Sequence, residues 1–363
     1  MVTRRAEPVA EGLKPLEASD LALPWLAKPL AQWLKTHQGH ALLVCGHAGA
    51  GALELALSLA QGWLCESLPA AGERQPEAAQ PLRPCGQCGS CRLFLAHTHP
   101  DFRLRVPEGL ALSRGLPVEL DERRKPSKQI RIEEVRQAIA WMSTTSGRGR
   151  GKVLALHPAE SLNAASASAL LKTLEEPPAG ARLVLTAADP GLLMPTILSR
   201  CQMVRLPSPG REEALKWLAQ EGVTDAAVLL DGAGGMPLTA LEWSRQGVSA
   251  MTWSAVPRAV AAADASVFAG WPIPRVLDAL QKLCHDAGSI RAGGQARFFP
   301  SDGIPSGASL PRLMEWFKRL QGVMRHAEHP WSEGLLIDSL VAEGQAVWEA
   351  PSRRRAGMRT IAS

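Results

Sequence analysis

Short unbroken apolar runs and longer runs of apolar residues at helical spacing alternate through the first half of the chain. Ala41 to Cys45 is apolar throughout, the mark of a strand buried on both faces of a parallel sheet. A glycine-rich turn follows from Gly46 to Gly51, and then Leu53, Leu57, Ala60 and Leu64 recur every three or four residues, which predicts a helix. A helical lead-in over Trp25 to Trp33 precedes them. Two further apolar runs, Val153 to Leu156 and Leu183 to Thr186, each follow a helical stretch, Ile132 to Met142 and Ser161 to Glu175. This alternation predicts an α/β unit with a parallel sheet and crossover helices. Pro177 and Pro178 end the second helix because proline cannot continue one. Leu192 to Leu198 reads as a further short helix. Past Pro207-Ser208-Pro209 the strand signals fade, and Glu212 to Gln220, Ala226 to Leu230 and most of the chain after residue 250 carry helical spacing. A Gly232 to Pro237 turn and a Gly/Ser/Pro-rich loop near Gly288 to Gly307 break that pattern. No internal repeat is found.

Composition narrows the class. The chain has 363 residues, enough for two or three domains, with 46% hydrophobic and 21% charged residues, which excludes intrinsic disorder as its overall state. No apolar run approaches the roughly 18–20 residues that cross a bilayer. The opening residues carry two arginines without a following apolar core, so they are not read as a secretory signal. A net charge of +5 permits a nucleic-acid partner without requiring one. Seven cysteines, an odd number with three packed closely together, do not form a secreted disulfide framework and point to the reducing cytoplasm. There are 11 tryptophans and no tyrosine, a bias to which the sequence attaches no function.

Cys85, Cys88 and Cys91 make a C-x-x-C-x-x-C run, and Cys65 lies upstream across a Pro/Glu/Gln/Ala-rich insertion at 66–84. Two-residue gaps let a tight turn aim successive sulfurs at one point, and four thiolates close a tetrahedral shell around zinc. Gly86 and Gly89 suit the curled backbone. His97 and His99 compete with Cys65 as the fourth ligand. An iron–sulfur cluster would use similar ligands, but nothing else in the sequence points to electron transfer. A closed four-ligand shell has no open position, so the metal is expected to be structural. Cys45, Cys201 and Cys284 are isolated and read as buried structural residues.

The turn GHAGAGAL compares with the phosphate-binding pattern G-x-x-x-x-G-K-[ST]. Gly46 and Gly51 hold the two glycine places, while Ala52 stands where the lysine belongs and Leu53 where the hydroxyl belongs. An alkyl side chain neither neutralises phosphate nor holds magnesium. The second strand, which would carry a metal-holding carboxylate, is followed by His157 and Pro158 before Glu160. A nucleotide-binding fold without ATP hydrolysis, and with no nucleotide bound, is the expectation.

After LVLTAADP comes Ser199-Arg200-Cys201. The order of CGQCGSC, ASALLKTLEEPP, LVLTAADP and SRC resembles the AAA+ subunits of bacterial DNA polymerase III clamp loaders, from about Pro24 to Gln246 and more loosely beyond. The cysteine cluster narrows the resemblance to delta-prime and gamma/tau types, and the altered phosphate loop sets it with the delta-prime type. One departure is Ser168, where many relatives have Asn before ALLK.

The resemblance implies an AAA+ core over 1–206 with a zinc insertion at 65–91. It further implies a helical lid at 207–249, a helical collar for oligomerisation at 250–350 and a basic tail at 351–363. It also implies a stator that does not hydrolyse ATP itself but belongs to a DNA-directed DNA polymerase holoenzyme, a nucleotidyltransferase. Arg200 would reach the ATP of a neighbouring motor subunit as an arginine finger, flanked by Ser199 and Cys201. The partners implied are gamma/tau and delta in a hetero-pentameric ring, with the sliding clamp and primed DNA. The location implied is the bacterial cytoplasm, at the nucleoid through the replisome. Two other readings compete. An active gamma/tau-like ATPase is opposed by Ala52 and Leu53. A free-standing zinc-stabilised DNA-binding protein would use the basic stretch Arg148 to Lys152 and the run Arg353 to Arg355.

Overall fold

In a computed structural model, residues 16, 21–37, 39–69, 82–118, 125–325 and 332–349 are described. The inner part of the 66–84 insertion and the basic tail from 351 lie outside them. The chain forms two compact units, Met1–Glu213 and Ala214–Ser363.

The first unit holds a five-stranded, wholly parallel sheet. Its strands are β1 (Ala41–Cys45), β2 (Phe102–Arg105), β3 (Lys152–Leu156), β4 (Ala181–Ala187) and β5 (Gln202–Arg205), in the spatial order β2-β3-β4-β1-β5. The helices joining them are α1 (Ala27–Thr36), α2 (Ala52–Leu64), α3 (Gly89–Leu95), α4 (Glu108–Arg114), α5 (Ile132–Met142), α6 (Ala164–Glu175) and α7 (Pro195–Leu198). Every residue of β1 and β3 is buried, as a strand covered by helices on both faces must be. Leu43, Leu154, Leu156, Leu183 and Leu185 pack with Val135 and Ala138 of α5 and Leu170 and Leu174 of α6. Side chains alternate across a strand, so Leu42, Val44 and Val184 face the other way. There α2, buried along almost its whole length, covers the sheet.

Three boundaries and two strands differ from expectation. The helix predicted from Ser161 starts at Ala164, because the Asn163 side-chain Oδ1 accepts the Ser166 N–H at 2.9 Å and caps it there. The Leu192 to Leu198 segment divides into a short turn at Pro190–Leu192 and α7. Gly288 stays inside a helix that runs on to Arg291. The edge strands β2 and β5 carried no strand signal in sequence: all four residues of Phe102–Arg105 are half-buried, and two of the four residues of β5 are exposed. Ser168, the departure at ALLK, donates back to the Ala164 carbonyl at 2.8 Å, within its own helix.

The second unit is helical, with α8 (Arg211–Gln220) spanning its start, then α9 (Ala226–Gly232), α10 (Pro237–Arg245), α11 (Ala250–Ala261), α12 (Ile273–Arg291), α13 (Leu310–Arg325) and α14 (Glu333–Gln345). Its interior accounts for part of the tryptophan bias. Trp253, fully buried, stacks on Trp243 and on Phe299, each with ring centres 4.8 Å apart, and Trp271 continues the stack at 6.0 Å. Such aromatic pairs add to the burial of large apolar rings. Asp286, 0% exposed, holds the following loop in place by accepting the backbone N–H groups of Arg297, Phe298 and Phe299 at 2.8–2.9 Å. Asp286→Ala strands three donors at once, one buried and two partly buried, so urea unfolding of the full chain should show a loss of about 3 kcal/mol in the second unit. A loss below about 1 kcal/mol would mean that water replaces the carboxylate.

Candidate functional site

In open parallel sheets, ligands bind beyond the carboxyl ends of the strands, where the strand order reverses. Here that point is the end of β1, between β4 and β5, and the turn Gly46 to Gly51 occupies it. The turn keeps the shape of a phosphate loop, with Gly49 at φ 83° and Gly51 at φ 101°, a region that favours glycine. Two of its donors are taken by the protein. Gly46 N–H donates to the Ala187 carbonyl at 3.0 Å and Ala50 N–H to the His47 carbonyl at 3.0 Å. Leu23, Trp25 and Leu26, all buried, pack against the loop at Gly51, and the Trp25 indole donates to the Ala50 carbonyl at 2.8 Å. A Cβ on Gly51 would meet Leu26 and Leu23 methyls at 3.0 and 3.1 Å. Leu53 is 4% exposed and serves the core, so the hydroxyl place points into the protein.

Around this loop the polar groups hold one another. His157, at the end of β3, sits 2.6 Å from the Thr186 hydroxyl at the end of β4. Burial, with the Arg114 charge as a smaller cause, lowers its pKa to about 3, so the ring is neutral at pH 7. Arg114 itself pairs with Glu54 at 3.1 Å. Glu160 is half-buried, and its Oε1 accepts the N–H groups of Ala188 and Asp189 at 2.6 and 2.8 Å and fixes the turn after β4.

Four sulfurs, those of Cys65, Cys85, Cys88 and Cys91, lie within 4.8 Å of one another. Cys65 follows α2, Cys88 caps α3 and Cys91 lies in its first turn, so two helix ends bring the thiols together. Backbone N–H groups point at them, Cys85 to Cys65 Sγ at 3.5 Å, Cys88 to Cys85 Sγ at 3.3 Å and Cys91 to Cys88 Sγ at 3.4 Å. The Cys85 and Cys91 sulfurs are 3.9 Å apart, close to the ~3.8 Å edge of a tetrahedron with metal–sulfur bonds of ~2.3 Å. A hydrogen bond from Cys91 holds the Cys65 thiol down at about 4, and the same bond pushes Cys91 up. Cys85 is lowered on balance: burial raises it, and hydrogen bonds from Ser67, Gln87 and Cys88 outweigh the burial. The cluster can therefore hold a metal ion. Neither histidine joins it; His99 Nε2 lies 3.1 Å from the Ser90 hydroxyl, and its Nδ1 accepts the Asp101 N–H at 3.0 Å.

The basic stretch is engaged by the protein itself. Arg148 pairs with Glu66 and donates to Ser90 at 3.0 Å, Arg150 donates to the Leu68 carbonyl, and Lys152 donates to the Trp141 carbonyl at 3.0 Å. Asp101, 1% exposed, accepts from the Gly147 and Arg148 N–H groups at 2.7 and 2.8 Å. Arg148 thus ties the residues beside two of the cysteines to the sheet. Nothing in the pattern RGRGK signalled this acidic partner.

Arg200 follows α7 on the crossover from β4 to β5. Its guanidinium pairs with Glu175 at the end of α6 and donates to the Thr196 carbonyl at 2.9 Å and the Ser199 hydroxyl at 3.2 Å. Its side chain is 32% exposed. Burial pushes the neighbouring Cys201 thiol up to about 12, which leaves it an inert packing group.

A family model described as DNA polymerase III, delta subunit, matches residues 26–210. The DNA polymerase III subunit delta' of Pseudomonas aeruginosa is 37% identical over 218 residues, 59% of this chain and 58% of that protein. Its counterpart in Haemophilus influenzae is 32% identical over 231 residues, 62% of each. The DNA polymerase III subunit tau of Salmonella typhimurium is 33% identical over 46% of this chain and 21% of that protein. A solved gamma subunit-related protein from Thermotoga maritima aligns at TM-score 0.47 and 14% identity, over 89% of this chain and 99% of that one. The chain spans about six tenths of the length of the first two delta' relatives.

Proposed function

The chain belongs to the DNA polymerase III delta subunit family, and from that premise we propose that it is a delta-prime-type stator of a clamp loader that hydrolyses no ATP itself. The observation that carries this is the phosphate loop: Ala52 and Leu53 replace cation and hydroxyl, Leu53 is buried, and the Ala187 carbonyl of β4 and the loop's His47 carbonyl take the Gly46 and Ala50 donors. A loop built this way offers a triphosphate neither charge nor a magnesium ligand. Arg200 serves in trans, stabilising the charge that develops on the phosphoryl group of an adjoining gamma/tau motor. Within the ring of five subunits, residues 207–249 act as the lid and 250–350 as the collar. Gamma/tau, delta, the sliding clamp and primed DNA are its partners.

The four-cysteine site holds structural zinc. Sulfur-only ligation selects a soft metal, and a closed shell supplies folding energy and no reaction. Cys65, Cys85, Cys88 and Cys91 are its ligands. Calorimetric titration of the full chain with magnesium ATP tests the loop: binding should be weaker than about 1 mM. Tighter binding, or ATP turnover by the purified chain that depends on residue 52, would replace the stator by an active motor. The engagement of Arg148, Arg150 and Lys152 by the protein speaks against a free-standing DNA-binding role for that stretch.

A further inference from the structure

The guanidinium of Arg200 is folded onto its own subunit. One amino group meets the Glu175 carboxylate, and the other donates to the Thr196 carbonyl at 2.9 Å and the Ser199 hydroxyl at 3.2 Å. The Nε is buried against protein without an acceptor. A phosphate in trans takes a guanidinium by a pair of N–H groups, so it must displace Glu175 before it can be gripped that way. We infer that Glu175 is a positioning residue that parks the Arg200 guanidinium until a neighbouring nucleotide takes it. This rests on the reading of Arg200 as a group that acts in trans.

Three features suit a parking contact rather than a permanent tie. Glu175 is the last residue of α6, where the helix dipole disfavours a carboxylate, so the arginine is the compensating charge. Its side chain is 49% exposed, so water solvates it once the arginine leaves. The pair is open to solvent on both sides, and such a pair holds its partners together by a factor of about two to five. A triphosphate carries more charge than one carboxylate and outcompetes it. Pro177 and Pro178 keep the helix from extending, which holds Glu175 at this end.

The test uses the complete complex reconstituted with its ATP-hydrolysing subunits, and Glu175→Gln, which keeps the shape and removes the charge. ATPase without DNA or clamp should rise about two- to five-fold in kcat, the parked fraction being released, with KM for ATP unchanged. In the double variant with Arg200→Ala the gain should vanish, leaving the rate of Arg200→Ala alone. A Glu175→Gln rate that is unchanged, or that falls toward that of Arg200→Ala, would overturn the parking role and leave the trans reading standing. If Arg200→Ala is itself without effect, the trans reading fails first and the parking role with it.

Discussion

Replacing Arg200 by alanine in the reconstituted complex should silence one ATP site while the ring still assembles. A guanidinium placed against a transferring phosphoryl group contributes about 10³–10⁵ in rate, because it meets charge that exists only in the transition state. On the proposed reading Arg200 is the group this chain supplies, so the loss should fall on the adjoining motor, and sites completed by other subunits should keep their rates. Single-turnover hydrolysis should therefore lose one phase, by about 10³-fold or more, and clamp loading should fail with it. Assembly is expected to survive because the Arg200 side chain is partly exposed and its one ion pair, with Glu175, lies at the surface. Lysine in its place should rescue little, since a point charge does not reproduce the planar fork. Unaltered hydrolysis and loading by Arg200→Ala would remove the trans role.

The second large effect concerns the cysteines. The full chain should carry one zinc per molecule, and Cys91→Ser should abolish it. Structural zinc in small peptides binds with about 10–16 kcal/mol, and part of that energy is folding energy here. The site joins the end of α2 to α3, and Phe94 of α3 packs at a tilt against Phe102 of β2 with ring centres 4.4 Å apart. Losing the metal thus loosens an edge of the sheet as well as the insertion. We expect the first unit to lose on the order of 5 kcal/mol, and its unfolding midpoint to fall by about 10–20 °C. Cys201→Ser, outside the cluster, should keep the zinc. Metal analysis alongside thermal unfolding checks both points; a chain that is metal-free as purified and melts at the same temperature as Cys91→Ser has no such site.

Much of the first unit could be read from the chain alone. The central strands β1, β3 and β4 are covered by helices, so each carries a continuous apolar stretch, Ala41–Cys45, Val153–Leu156 and Leu183–Leu185, and α5 matched its predicted bounds because its apolar spacing is regular. The edge strands were not legible. A strand with one neighbour, half in solvent, can carry the arginines of FRLR and QMVR, and its sheet membership comes from backbone pairing with β3 or β1. The small helices α3 and α4 were likewise too short for a period to show.

The candidate sites divide along the same line. Spacing within CGQCGSC was enough to mark three ligands, and a local turn sets their geometry. The fourth could have been Cys65 or a histidine until the fold brought the end of α2 to the cluster and gave His99 other partners. The lost cation and hydroxyl of the phosphate loop were plain at Ala52 and Leu53. That Leu23, Trp25 and Leu26 also pack against the loop came from tertiary packing.

By itself the chain determined the alternation that builds a parallel sheet, the positions of three thiols spaced to hold a metal and the absence of lysine and hydroxyl at residues 52 and 53. Those properties depend on residue type and near spacing, which covalent connection preserves. Only the folded structure decided that Arg148 answers to Glu66, that Glu160 holds two backbone amides and that Arg200 rests on Glu175. Their partners lie 82, 28 and 29, and 25 residues away in sequence, and a charge is neutralised by whatever folding brings within a few ångströms of it.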